Sequence, residues 1–221
     1  MKKIIILTLV VLVTAINSWA QECTTMWPYI YKEFQEGTLY MVGGKQYTHQ
    51  FNVHVKDSRL HYVEKGIIKE TRSEDIVLVK IGSDIYMNVD GRVMKVIGSD
   101  ERGFVATLIL GDFDKLNSSA GAYGGSSNSS ATTKLSSVAI GGITIVNHME
   151  LRENRDNGQT LPLTYKYYIV TKGKVYAATK RGINSQLTES EAAEFKAFLK
   201  NHKIKWNDPQ SLMTILDFFN K

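Results

Sequence analysis

One cysteine and three prolines stand among 221 residues. A single cysteine closes no internal disulfide, so any core must hold by packing alone. Past Asn17 no apolar stretch reaches the roughly 20 residues that a membrane-spanning helix requires. Charge of one sign is nowhere concentrated: 27 Lys and Arg face 22 Asp and Glu, for a net +5 without a basic run. That excludes the dense positive footprint of a nucleic-acid binder. A mildly basic surface suits acidic polysaccharide or anionic lipid at most. Catalytic signatures are missing too. There is no Gly-x-Ser-x-Gly, no His-Glu-x-x-His and no EF-hand loop, and Gly124-Gly125-Ser126 lacks both the spacing and the lysine of a phosphate cradle. Cys23 falls in an N-terminal tail, a poor position for a Cys-His nucleophile.

The first twenty residues do carry a pattern. Lys2 and Lys3 precede an apolar run from Ile4 to Ile16, and Ser18-Trp19-Ala20 sets small residues at the −3 and −1 positions of a signal-peptidase site. The expectation is an export leader over 1–20 and a mature chain from Gln21. Glu22 before Cys23 argues against lipidation, which needs a small residue there. Loss of Lys2 and Lys3 leaves the mature chain at about +3. An exported chain without a spanning segment is expected to be soluble or peripherally bound.

From 21 to 116 the chain reads as closely spaced strands: Thr38–Val42, Gln46–Val55, Arg59–Val63, Ile67–Glu70, Ile76–Ile81 and Phe104–Leu110. Ile76–Ile81 is apolar enough to be buried on both faces. Asp90-Gly91 fits the positive φ angles of a type I′ hairpin. It pairs Met87 with Met94 and Ile85 with Val96 on an apolar face, and Tyr86 with Lys95 on the other. A two-residue turn at Asp57-Ser58 pairs Val55 with Leu60, Val53 with Tyr62 and His54 with His61. Residues 117–137 are mostly Ser, Gly, Ala, Thr and Asn, a composition that predicts a flexible loop. Strands resume over 138–183, with Val138–Val146, Met149–Glu153 and a hairpin of Tyr165–Thr171 and Lys174–Thr179 across Lys172-Gly173. The spacing leaves open whether they join the first sheet. Such short strands with tight turns predict a mainly β fold, an antiparallel meander with sandwich or barrel character.

Residues 184–221 predict a helical pair. Thr188 and Glu191 form a capping box ahead of Phe195, Phe198, Leu199 and His202 at helical spacing. Asp208-Pro209 starts a second helix with Pro at N1, carrying a Leu212, Ile215, Leu216, Phe219 stripe. Such short amphipathic helices are expected to pack on each other and on the sheet.

Two groups of side chains are candidate sites. His54 and His61, directly opposite in the expected register, have Cβ atoms roughly 5 Å apart and could share a transition metal. His49 has the opposite parity to His54 and points to the other face. Aromatic rings are the second group. Tyr165 and Tyr167 share one strand face, Tyr168 takes the other, and such rings stack on sugars or peptides. Trp27, Tyr29, Tyr31 and Phe34 form an earlier aromatic group. Paired carboxylates have no fixed motif, so Asp112 and Asp114 are eligible for glycoside hydrolysis.

Trp27-Pro28-Tyr29-Ile30-Tyr31 is followed by Phe34-Gln35-Glu36-Gly37-Thr38-Leu39-Tyr40. Gly121-Ala122-Tyr123-Gly124 lies in the serine-rich stretch, and Lys200-Asn201-His202-Lys203-Ile204 leads into Trp206 and the last helix. These segments resemble a group of exported proteins of Bacteroidetes-type bacteria with no assigned activity. The resemblance implies an envelope location, in the periplasm or on the outer surface of a Gram-negative cell, and a β-rich body, and it carries over no catalytic residue. The expectation is a non-enzymatic envelope protein without a cofactor that binds a protein or glycan partner. A hydrolase of envelope or polysaccharide material is the alternative. Oligomeric state is left open.

Overall fold

The computed structural model describes residues 24–25, 28–113, 115, 137–140, 143–146 and 160–220. The expected leader, Cys23, Trp27, Asp114, residues 117–136 of the serine-rich stretch and the Met149–Glu153 strand lie outside the described residues.

Two meanders build one sheet. β2 (Gln35–Met41), β3 (Gln46–His54), β4 (Arg59–Glu64) and β5 (Ile67–Glu70) follow one another as antiparallel hairpins. A 3₁₀ turn at Ser73–Asp75 returns the chain to the far side of β2, where β6 (Ile76–Ile81) pairs with it. The second meander continues through β7 (Asp84–Val89), β8 (Arg92–Asp100) and β9 (Gly103–Gly111). β12 (Leu161–Thr171) pairs with β9 from Leu163↔Gly111 to Val170↔Phe104. β1 (Thr24–Thr25) and β13 (Lys174–Ala177) both pair with β12. The result is an antiparallel sheet of eleven strands that does not close, with β5 at one edge. Of the late strands, β12 and β13 therefore join the first sheet, which the spacing left open. β10 (Ser137–Ile140) and β11 (Ile143–Val146) form a separate two-stranded sheet, so Val138–Val146 is a hairpin and not one strand.

Local chemistry explains the turns. Asp90 and Gly91 both have positive φ, 50° and 75°, as do Lys172 and Gly173, at 49° and 72°. These are the left-handed pairs that a two-residue hairpin needs. Tyr86↔Lys95 and Met87↔Met94 pair as expected. Burial does not divide the hairpin into a wet face and a dry one. Tyr86 is fully buried in the main core, and Met94 is buried on the opposite face with Val89, Ala106 and Leu108. Ile76–Ile81 departs the other way: Ile76, Val79 and Ile81 are buried, while Val77 and Lys80 are exposed.

The sheet curls over on itself without closing. The loop after β3 folds onto β8 and β9: Val93 N–H donates to Ser58 O at 3.0 Å, Ser58 Oγ donates to Val93 O at 2.6 Å, and Gly111 N–H donates to Val55 O at 2.8 Å. Inside the curl, Leu39, Phe51, Val53, Leu60, Val79 and Tyr86 are among the residues of the main core.

A second core holds the C-terminal helices. α1 (Lys180–Asn184) was not visible in the apolar pattern; the Thr179 hydroxyl caps it by accepting from Gly182 N–H. α2 (Glu189–Asn201) starts at the expected Thr188–Glu191 capping box. The last helix is broken into α3 (Pro209–Met213), with Asp208 as N-cap, and α4 (Ile215–Phe219). Phe195, Phe198, Leu212, Ile215 and Leu216 pack with Val105, Ile169 and Tyr176 of the sheet. The helical stripes are thus buried against strands and against each other.

Candidate functional site: an aromatic cleft where the core opens

The inner face of the first meander does not end with the core. On β3, Val53 and Phe51 lie in the core, and the same face continues to His49 and Tyr47. On β4 it runs from Leu60 to Tyr62 and Glu64; on β2, from Leu39 to Met41. The crossover from β5 to β6 walls this outer stretch with Thr71, Arg72 and Asp75. It is held in place by Thr71 N–H donating to Leu60 O at 2.9 Å and by Val42 N–H donating to Asp75 O at 2.9 Å. The space enclosed is an open cleft of about 380 Å³.

Rings form its floor. His49 and Tyr62 lie with centroids 5.2 Å apart, and Phe51 lies 6.3 Å from Tyr62 and 6.1 Å from His49. Tyr47 stands at the mouth, 43% exposed. Carboxylates edge the rim, each beside a base. Glu64 is bonded to Lys69, whose charge and hydrogen bond hold it below the usual carboxylate range. Glu70 lies 3.4 Å from His61 Nε2, and Asp75 lies 4.0 Å from Arg72. The Thr71 hydroxyl is buried and makes no hydrogen bond among the described residues. A buried polar group without a partner is a cost to the fold.

Behind this face, on the other side of β3 and β4, lie the two expected histidines. They meet, but by a different register. The loop spans Val55–Ser58 instead of a two-residue turn, with Ser58 at φ 53°. His54 therefore faces Arg59, and His61 faces Asn52. A shift of two residues keeps every side chain on its face. The imidazoles become diagonal neighbours, with ring centroids 5.1 Å apart. Both rings are already engaged. Tyr29 Oη lies 3.0 Å from His61 Nδ1, Glu70 lies at its Nε2, and His54 Nδ1 accepts from Lys56 N–H at 3.3 Å. Burial lowers the His61 pKa, opposed by the Glu70 charge. Among the described residues no group of three His, Cys, Asp or Glu is placed to hold a metal ion. The pair is instead the seat of an N-terminal strap. Ile30 N–H donates to Val53 O, Val55 N–H donates to Pro28 O, and Tyr29 packs edge-on to both imidazoles.

Tyr165, Tyr167 and Tyr168 alternate as expected but share no patch. Tyr165 is 38% exposed, Tyr167 packs against the helical cluster, and Tyr168 packs on the opposite face beside Val170 and Phe104. Asp112 caps the following turn, its Oδ1 accepting from Lys115 N–H at 2.9 Å.

The sequence does not single out Tyr47, His49, Tyr62 and Thr71 as a site. The alternation Tyr47-x-His49-x-Phe51-x-Val53-x-Val55 marks a shared face for the first two without saying where burial stops, and Tyr62 and Thr71 carry no such signal. Comparison with protein-family models, with curated proteins and with solved structures returns no match.

Proposed function

We propose that this protein is an exported, non-enzymatic binding protein of the bacterial envelope, and that it takes its ligand or a partner's side chain in the aromatic cleft. The observation that carries the reading is the cleft itself: a core face that runs out into open space, floored by rings and rimmed by polar groups, is the usual form of a binding site. The leader pattern of Lys2-Lys3, Ile4–Ile16 and Ser18-Trp19-Ala20 supports export. The rim carboxylates are each paired with a base, an arrangement suited to holding a ligand more than to moving protons. The hydrolase alternative gains nothing from Asp112, which serves as a backbone cap.

The test places a photoreactive benzophenone side chain at Tyr47, in the cleft mouth, or at Tyr165, a comparably exposed tyrosine elsewhere. Irradiation of native cells should give a covalent adduct from position 47 alone. Adducts from position 165 alone, or equally from both, would overturn the assignment to the cleft.

A further inference from the structure

We infer that the ligand of this cleft is a neutral or amino-bearing sugar residue of an envelope glycan; the inference rests on the cleft reading above. A pyranose presents an apolar C–H face and a rim of hydroxyls. The cleft is built in the complementary way, with Tyr62 and His49 beneath, Tyr47 at the mouth and polar groups around the edge.

Two ligand classes fit rings beside carboxylates: a cation, drawn by ring faces and negative charge, and a sugar, which needs acceptors for its hydroxyls. The pairing of the rim decides between them. Lys69 and Arg72 offset Glu64 and Asp75, and burial keeps His61 from offsetting Glu70 in full, so the rim is left only weakly negative, too little to select a strongly cationic ligand. The carboxylate lone pairs are not used up. Each ionised carboxylate has about four acceptor sites, and the side chains of Glu70 and Asp75 are 54% and 48% exposed. Arg72 adds donors that a hydroxyl can accept from. The volume, about 380 Å³, lies at the small end for ligand pockets, room for a short piece of a chain and not a long one. The same weak negative balance, centred on Glu70, disfavours a uronic acid, whose own carboxylate it would repel, and tolerates an amino group.

The experiment is an NMR titration of the full protein purified from the envelope fraction. The probes are cellotetraose, chitosan tetramer, tetragalacturonate and a lysine-rich peptide, each to millimolar concentration. Saturable shifts at His49, Tyr62 and Thr71 with the neutral or amino sugar are expected. Tyr47→Ala, at an exposed position where folding is not at stake, should weaken that binding by about tenfold; Tyr165→Ala should leave it unchanged. Preference for tetragalacturonate, or sugars that leave the cleft unmoved while the peptide shifts it, would overturn the sugar inference and leave the cleft standing as a site. If no probe moves the cleft and position 47 gives no photo-adduct, both readings fall.

Discussion

His54 and His61 stack with centroids 5.1 Å apart although neither faces the other across the strands. Tyr29 closes over both, with its hydroxyl on His61. The pair thus joins the β3–β4 hairpin to the strap at 28–33, and the side of it that faces Glu70 reaches toward the cleft rim.

That position makes stability depend on pH. Burial lowers the folded His61 pKa below its ordinary value, against the opposing pull of Glu70. The unfolded chain therefore binds the proton more readily, and stability rises with pH. It should be fully present above the unfolded value of about 6.5 and fall as the pH drops from there toward the folded value. Urea unfolding at pH 7.5 and 5.5 should show a lower midpoint at the lower pH, with a smaller drop in His61→Asn. An equal drop in both proteins would refute the assignment.

Asn52 is the clasp of the strap. Fully buried, it accepts from Tyr31 N–H at 3.1 Å and from Val53 N–H at 2.9 Å, and it donates to Tyr31 O and Glu33 O at 2.9 and 3.2 Å. Asn52→Ala leaves these backbone groups without their partner and should cost about 2–4 kcal/mol. The loss would be read from the urea midpoint, with faster protease cleavage between residues 28 and 34.

Tyr31 also reaches the fully buried Tyr86, at 2.7 Å, and Asp84, to which it donates at 2.6 Å. Burial pushes the Asp84 pKa up, but the hydrogen bonds from Lys95 and Tyr31 outweigh it and hold the group below the usual range. A depressed carboxylate stabilises the fold above its unfolded pKa of about 3.9 and loses that contribution as pH falls through the folded value. Lys95→Met should therefore destabilise by about 1–3 kcal/mol at pH 7. The gap from wild type should narrow as the pH falls below 4; a gap that stays constant would show that Asp84 is not the cause.

The three late tyrosines should separate in a stability assay. Tyr167 packs on the helical cluster, so Tyr167→Ala should cost about 2–4 kcal/mol. Tyr165→Ala should stay within about 1 kcal/mol of wild type in the same thermal or urea melt. Similar losses at both would contradict the packing described.

What could be read from the chain was local. The Asp90-Gly91 and Lys172-Gly173 turns, the Thr188–Glu191 box and the Asp208-Pro209 start are decided by residues within four positions of each other. Asp57-Ser58 misled because it resembles such a turn without its glycine. The loop that formed is set by Ser58 and Val55 bonding to Val93 and Gly111, which are 35 and 56 positions away. The histidine pair survived the error because a shift of two residues preserves the face.

Alternation along β3, β4 and β8 determined which side chains travel together, since strand geometry alone sends neighbours to opposite sides. It could not determine which side would be dry. Tyr86 became core and Val77 did not, because burial depends on what the curled sheet brings across from them. The cleft is the plainest case. Tyr47, His49 and Phe51 form one stripe in the sequence, but the stripe changes from core to open site where the 71–75 crossover folds back over Leu60. Only the tertiary structure sets that point, because removing surface from water needs partners from distant parts of the chain.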